Sequence, residues 1–271
     1  MLRRCLTISL AVILISVSAV NAAKPKKVLL LAGKSSHGRG AHEHLPGMQL
    51  LAKCLRDVPG LNVEVHYVGG DWVEGPDLIK RADGIVMYMD YGMRWEQSDP
   101  ARQAALEDLM KRAGGVVALH WSLGGRDAKD IPFHLKLVGG CHGGPDRKYA
   151  HDETELKVAG PDHPVAAGIG DFRLKDEYYY QLKWAEAGRI TPILKGTVRD
   201  CPDQTIAWVF ERPDGGRSVG FAAMHAHANW GVVQCRRLIA QGVLWSVKLP
   251  IPDAGLPVVI TDEDLELPQK P

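Results

Sequence analysis

The sequence predicts an α/β fold in which a mostly parallel sheet carries helices on both faces, with extra β-strands in the C-terminal half. Three short apolar runs, at residues 27–32, 84–89 and 116–119, have the composition of strands that are buried on both sides. Segments with helical periodicity alternate with these runs. Strands that alternate with helices are typical of an open parallel sheet.

The predicted elements of the first half follow in chain order. The strand at 27–32 leads into a loop, and a helix begins at Pro46, because apolar residues then recur at helical spacing. Residues 63–67 alternate apolar and polar side chains as a second strand, and 84–89 form the third. Asp99 and Pro100 begin the next helix, which ends before the fourth strand at 116–119.

The second half is richer in β-structure. We predict five strands there, at the sheet edge or in a small side sheet, at 153–158, 172–182, 190–198, 205–211 and 217–224. A closing helix is predicted at 230–247. We expect one domain over 24–250 and a loose tail at 251–271, which is rich in proline and acidic residues.

The N-terminus has the pattern of a secretory signal peptide at residues 1–23. Arg3 and Arg4 precede an apolar run at 6–20, and small residues follow up to Ala23. The run is shorter than the about 20 apolar residues that span a bilayer. We therefore expect a secreted or periplasmic protein, with no membrane contact after cleavage.

Charge and cysteine content exclude further classes. The predicted signal peptide holds two of the 33 basic residues, so the mature chain keeps 31 basic against 32 acidic residues. A near-neutral chain without a basic stripe is not expected to bind nucleic acid. The cysteines after the signal peptide are too scattered for a disulfide scaffold, and their pairing stays open: Cys54, Cys141, Cys201 and Cys235.

Histidines concentrate at the ends of the predicted strands, where loops of a parallel sheet converge on ligands. Six of the eleven histidines follow strands in this way: His37, His42, His44, His120, His225 and His227. A single loop histidine is more often structural than functional, and we expect His42 and His44 to be solvated residues ahead of a helix. His142 lies in a glycine-rich loop that could cover a pocket.

Imidazoles near a carboxylate are suited to zinc or a similar divalent metal ion. Without a metal, the same groups could act as general acid and base. The spacing does not form a local motif such as His-Glu-x-x-His. Two nucleophilic alternatives stay open: Ser122 beside His225, and Cys141 beside His142.

Five segments in chain order resemble the ThuA-like (trehalose utilisation) family, over about residues 26–250. They are the strand and loop at 28–37, the Leu-His-Trp-Ser strand end at 119–122, the His-Pro turn at 163–169, the acidic Glu-Tyr segment at 176–179 and the terminal element at 220–230. The resemblance implies a flavodoxin-like fold of the class I glutamine-amidotransferase type. His120-Trp121-Ser122 stands where true amidotransferases have a cysteine, so glutamine hydrolysis is not expected. The family's late histidine corresponds to His225, with Met224 in place of the usual glycine and His227 as an additional imidazole.

The family is linked to the metabolism of trehalose and related disaccharides through 3-keto derivatives, which implies a small-molecule carbohydrate as partner. We hypothesise that His37, His120 and His225 hold a divalent metal, and that Glu177 or His227 moves a proton in isomerisation or eliminative glycoside cleavage. The alternative is a non-catalytic carbohydrate-binding or interaction domain, and a homo-oligomer is compatible with either. The remaining predicted substrate contacts are Trp121, Ser122, His142, Tyr178, Asn229 and Trp230.

Overall fold

The computed structural model describes residues 24–268 and confirms the predicted α/β class. A nine-stranded sheet has the order β2-β1-β3-β4-β12-β11-β10-β7-β8, and a small sheet has the order β5-β6-β9. The predicted signal peptide lies outside the described residues. No helix among the described residues is long and apolar enough to cross a membrane.

Among residues 24–268, five α-helices lie between strands of the two sheets, and a sixth follows the last strand. The strands are β1 (Lys26–Ala32), β2 (Leu61–Tyr67), β3 (Gly84–Tyr88), β4 (Gly115–Leu119), β5 (Gly124–Gly125), β6 (Gly140–Gly143), β7 (Lys148–Val158), β8 (Phe172–Tyr180), β9 (Lys183–Trp184), β10 (Arg189–Val198), β11 (Cys201–Glu211) and β12 (Arg217–Phe221). The helices are α1 (His44–Leu55), α2 (Gly75–Arg81), α3 (Gly92–Gln97), α4 (Pro100–Lys111), α5 (Ile131–Val138) and α6 (Val233–Ser246).

The parallel part of the sheet comprises β2, β1, β3, β4 and β12. β3 and β4 are buried over their whole length, and β1 is buried from Val28 onward, because each face of these strands meets a separate core. The edge strand β2 instead alternates apolar and polar residues and is only partly buried. In β1, Val28 and Leu30 belong to the core beneath α1 and α6, whereas Leu29 and Leu31 belong to the core beneath α2, α4 and α5. This alternation follows from the two-residue period of a strand.

The antiparallel part comprises β11, β10, β7 and β8, which continue the sheet beyond β12. The last strand of this part, β8, contacts the parallel part again. The amide of Tyr179 in β8 donates to the carbonyl of Ala222, just after β12, at 3.1 Å. The C-terminal end of β8 therefore lies beside the C-terminal ends of the parallel strands. This contact brings acidic side chains of β8 to the strand-end loops.

Several elements differ from the sequence-based expectation. Three helices that were not predicted, α2, α3 and α5, span only seven, six and eight residues, too few for a clear helical period. The predicted loose tail is wrong for residues 251–268: Leu256 and Val258 are buried, and Asp264 pairs with Lys53 at 2.6 Å. None of the four cysteines within residues 24–268 is paired with another.

Candidate metal centre

Two loops at the C-terminal ends of the parallel strands are joined by backbone hydrogen bonds. The amide of His42, in the loop between β1 and α1, donates to the carbonyl of His225 at 3.0 Å, and the amide of His227 donates to Gly40 at 2.8 Å. The two loops also form an isolated bridge between Ala41 and Ala226. This pairing fixes the imidazoles of His42 and His225 next to each other.

His120 provides a third imidazole from the end of β4, a strand that lies between β1 and β12 in the sheet. It directly follows β4, its side chain is fully buried, and its φ of 50° lies in the left-handed region that non-glycine residues seldom adopt. Such strained conformations occur at functional sites, where the surrounding structure enforces them. The turn aims the ring of His120 back over the sheet edge toward the two joined loops.

Three imidazole nitrogens converge on one point. Nε2 of His42 lies 2.9 Å from Nδ1 of His225 and 3.0 Å from Nε2 of His120, and the remaining pair is 3.3 Å apart. Nitrogens bound tetrahedrally to one zinc ion would lie about 3.3 Å from one another. A divalent ion placed among the three nitrogens could accept a lone pair from each of them.

A carboxylate occupies the open side of this trio. Oε1 of Glu177 lies 3.7 Å from Nε2 of His120 and 3.9 Å from Nδ1 of His225, and its Oε2 lies 3.2 Å from the exposed His151. The hydroxyl of Tyr179 lies 3.2 Å from Nε2 of His120. Three histidine ligands, with the fourth position left to water or substrate, are characteristic of catalytic rather than structural zinc sites.

Asp90, at the C-terminal end of β3, orients His42. Its Oδ1 lies 2.6 Å from Nδ1 of His42, which leaves Nε2 of that ring to face the trio. Burial alone would raise the pKa of Asp90, but hydrogen bonds from His42 and Ser36 hold this pKa below its usual value. In metal sites, the ring nitrogen of a histidine that does not bind the metal commonly donates a hydrogen bond to a carboxylate.

Asp176 orients the loop that carries His225. Its carboxylate accepts hydrogen bonds from the backbone amides of Met224 at 2.5 Å, His225 at 3.3 Å and Ala226 at 3.1 Å. Met224 has a φ of 81°, so the position where a glycine was expected does adopt the glycine-like conformation. Burial raises the pKa of Asp176 to about 6, and hydrogen bonds from the amides of Ala226, Met224 and Glu177 oppose that rise.

Burial keeps the imidazoles of His120 and His225 neutral. Burial, and then the neighbouring His42, lower the pKa of His225 to about 4, and the same causes take the pKa of His120 well below its usual range. Burial raises the pKa of Glu177. Neutral imidazole is the form that binds metal ions, so His120 and His225 are ready for a metal at neutral pH without losing a proton.

The structure groups the histidines differently from the set that was predicted to hold a metal. His120 and His225 meet as predicted, but the third nitrogen comes from His42, whereas His37 lies exposed beyond it with its ring centroid 3.8 Å from that of His42. The expectation that His42 and His44 are solvated is wrong, since both are buried. The backbone pairing of the two loops, which the sequence does not reveal, turns them inward.

Several predicted site residues lie elsewhere. Tyr178 and Trp230 are fully buried in the core beneath α1 and α6, and the hydroxyl of Ser122 bonds the backbone of Met89. The Asn229 amide donates to the carbonyl of Lys175. His227 is buried but belongs to none of the three His and carboxylate trios among residues 24–268, which are His42/His120/His225, His37/His42/Asp90 and His151/Glu177/His225.

Two of the predicted substrate contacts, His142 and Trp121, lie close to the trio. The His142 ring stacks on Tyr179 with centroids 3.8 Å apart, and Tyr179 stacks in turn on His120. Trp121 is half-buried between Tyr91 and His42, with centroid separations of 4.3 and 6.0 Å. The nucleophilic alternatives gain no support, because Ser122 is tied to backbone and burial raises the pKa of Cys141 to about 12.

Sequence reasoning assigned no role to three residues at the site. Asp90 directly follows the predicted strand at 84–89, so the strand-end rule includes it, but no feature of the sequence indicates a chemical role for it. Tyr179, and not the predicted Tyr178, lies next to the histidines. Neighbouring residues of β8 face opposite sides of the sheet, and the acidic segment does not reveal which of the two tyrosines faces the histidines. His151 carries no local signal, since only the pairing of β7 with β8 brings it to Glu177.

The protein is of the α/β class, with an open sheet and three imidazoles that converge at the ends of its strands. The ThuA family model, described as trehalose utilisation, matches residues 27–246, and the chain belongs to this family. The comparison with curated proteins gave no match.

Solved structures share the fold at low sequence identity. A ThuA-like protein from Bacteroides uniformis is 17% identical with a TM-score of 0.62, covering 83% of this chain and 93% of that one. A ThuA-like protein from Parabacteroides merdae is 15% identical with a TM-score of 0.62, covering 83% and 90%. The GH42 β-galactosidase Gan42B is 12% identical with a TM-score of 0.52, covering 83% of this chain and 30% of its own. At these identities the likeness concerns the fold alone.

Proposed function

We propose that the protein is a carbohydrate-active enzyme that acts on a ketosugar or glycoside with the help of a divalent metal ion, for which zinc fits the ligand set. The observation that carries this proposal is the convergence of nitrogens from His42, His120 and His225 beside the carboxylate of Glu177. Membership of the trehalose utilisation family supports a sugar as substrate. The fold is compatible with enzymatic roles.

Different residues of the chain would hold the ion and transfer the proton. His42, His120 and His225 would hold the ion, and Asp90 keeps His42 in the orientation that presents Nε2. When bound, a divalent ion supplies Lewis acidity to a sugar carbonyl. Glu177 faces the open position and moves the proton of the carbon next to that carbonyl, which leads to isomerisation or to eliminative cleavage of the glycosidic bond.

The test is a turnover assay on 3-ketosugars and 3-ketoglycosides with metal-loaded and chelator-treated protein. We expect turnover by the loaded protein, its loss after chelation and its return with added zinc. A His120→Ala variant should hold no ion and show no turnover. If wild-type protein holds no divalent ion and changes none of these sugars, the enzyme hypothesis fails, and a non-catalytic carbohydrate-binding domain is the better account.

We also propose export to the periplasm or beyond the cell, on the basis of the charge, apolar run and small residues at positions 1–23. Expression of the full chain in a bacterial host, followed by fractionation and mass spectrometry of the N-terminus, tests it. A mature protein that starts near Lys24 in the exported fraction supports the proposal. A chain that keeps Met1 or Leu2 in the cytosolic fraction contradicts it.

A further inference from the structure

The segment that follows α6 runs back toward the loops of the metal centre. Residues 256–268, which we call the strap, lie beyond the residues that the ThuA family model matches, which end at 246. Leu256 and Val258 of the strap are buried in the core beneath α1 and α6. The buried Arg236 of α6 donates from Nε to the carbonyl of Val258 at 3.1 Å. The start of the strap is therefore fixed to the core of the fold.

The middle of the strap contacts α1 and the segment that follows His225. The carboxylate of Asp264 accepts two hydrogen bonds from Nζ of Lys53 in α1, at 2.6 and 2.7 Å. Leu265 packs against the core beneath α1 and α6 and lies beside Gly231, where an added Cβ would meet Cδ1 of Leu265 at 3.2 Å. The strap thus lies against the chain a few residues beyond His225.

The far end of the strap holds the loop that carries His42. The guanidinium of Arg39 donates to the carbonyls of residues 267 and 268, at 2.6 Å each. The fork of N–H groups on an arginine suits two such acceptors at once. Residues 34–40 of this loop are exposed or half-buried, so packing in the core does little to hold them in place. The strap supplies a hold on this loop from outside the core.

The hydrogen bonds that join the two loops lie directly beside Arg39. The amide of His42 donates to the carbonyl of His225, and the amide of His227 donates to the carbonyl of Gly40, which follows Arg39 in the chain. Surface segments with few buried contacts open locally at a low cost in free energy. When this pairing opens, Nε2 of His42 moves away from Nδ1 of His225, and the trio comes apart.

We propose that Arg39 is a positioning residue which, together with the strap, keeps the His42 and His225 loops joined and so retains a metal ion bound between them. The retention of metal rests on the proposed function, whereas the joining of the loops does not. An ion held by nitrogens from both loops is released when the loops separate, so its rate of release follows the fraction of time that they spend apart.

Amide exchange, followed by NMR on chelator-treated protein, tests the joining of the loops. In Arg39→Gln we expect the amides of His42 and His227 to exchange about tenfold faster than in wild type, because the variant loses two charge-assisted hydrogen bonds that hold the loop. Arg112→Gln is the matched control. Arg112 is also exposed and donates to two backbone carbonyls, at 3.0 and 3.2 Å, in the segment before β3 at the opposite end of the sheet. This control should leave both histidine amides unchanged.

The rate of zinc release into an excess of chromogenic chelator tests the retention of metal. Release from Arg39→Gln should be about tenfold faster than from wild type, by the same factor as the amide exchange, and release from Arg112→Gln should be that of wild type. Asp264→Ala frees the strap from Lys53 without changing either loop. It should accelerate both processes, which guards against a purely local effect of the change at Arg39.

Two outcomes overturn the proposal. One is unchanged exchange of the His42 and His227 amides in both Arg39→Gln and Asp264→Ala. The other is zinc release that is no faster than in Arg112→Gln from protein whose loop amides do exchange faster. Wild-type protein that binds no zinc removes the proposed function instead, and the amide exchange of the metal-free protein then decides by itself whether the strap joins the loops.

Discussion

The parallel and antiparallel parts of the sheet contribute different chemistry to one site. The parallel part supplies the three imidazoles and Asp90 from loops that follow β1, β3, β4 and β12. The antiparallel part supplies Glu177, Asp176 and Tyr179, all from β8. In the proposed function, the loops of the parallel strands would hold the metal, and the antiparallel strand β8 would bring Glu177, the group that acts on the substrate.

The largest effect is expected from Glu177→Gln, which removes the proton-moving group of the antiparallel part. Turnover of a 3-ketosugar should fall by about 10²- to 10⁴-fold, because general base catalysis contributes that much. Zinc content, measured by mass spectrometry, should stay that of wild type. The control His227→Gln should keep most of its turnover, since His227 lies outside the trios. Equal losses in both variants would contradict the division of roles.

Asp90→Asn tests the parallel part. The amide cannot supply the charge that Asp90 places 2.6 Å from Nδ1 of His42, so the affinity for zinc should fall by about 10- to 100-fold. Competition with a chromogenic chelator measures this change. An unchanged zinc affinity would show that Asp90 does not support His42 as a ligand.

Asp176→Ala tests the connection between the two parts. It leaves the backbone amides at residues 224–226 without their buried acceptor, and the free energy of unfolding should fall by about 2 kcal/mol or more. Asp171→Ala, which removes an exposed acceptor of one amide, should cost less than about 1 kcal/mol. Urea denaturation at pH 7 gives both values, and similar losses would contradict the role assigned to Asp176.

His142→Gln leaves the proposed chemistry aside and changes the pH dependence of stability. Burial lowers the pKa of His142 to about 3 from 6.5. The unfolded chain therefore takes up a proton between pH 6.5 and 3 that the folded protein does not, and stability falls as the pH decreases through this range. In the variant, the slope at pH 5 should be smaller by about 1.4 kcal/mol per pH unit. Denaturant midpoints between pH 4.5 and 7 measure it, and an unchanged slope would contradict the burial argument.

The two parts also differ in how far their sequence predicts them. The buried strands of the parallel part are visible as apolar runs, and the strand-end rule finds His120 and His225 without a structure. The rule also includes His42, but residues ahead of a helix are commonly solvated, so His42 was expected to be exposed. The hydrogen bonds between its loop and the His225 loop, which bury it, cannot be read from the sequence. Long-range strand pairing, which no local pattern encodes, decides two further points. It determines whether Tyr178 or Tyr179 faces the site, and it brings His151 to Glu177.

The most direct test of the central claim is the metal content of His42→Ala beside His37→Ala, after purification and exposure to zinc. We predict about one zinc ion per chain in wild type and in His37→Ala, and none in His42→Ala, with an anomalous diffraction peak between the nitrogens of His42, His120 and His225. Zinc that remains at this point in His42→Ala, or wild-type protein that binds no zinc there, would contradict the account.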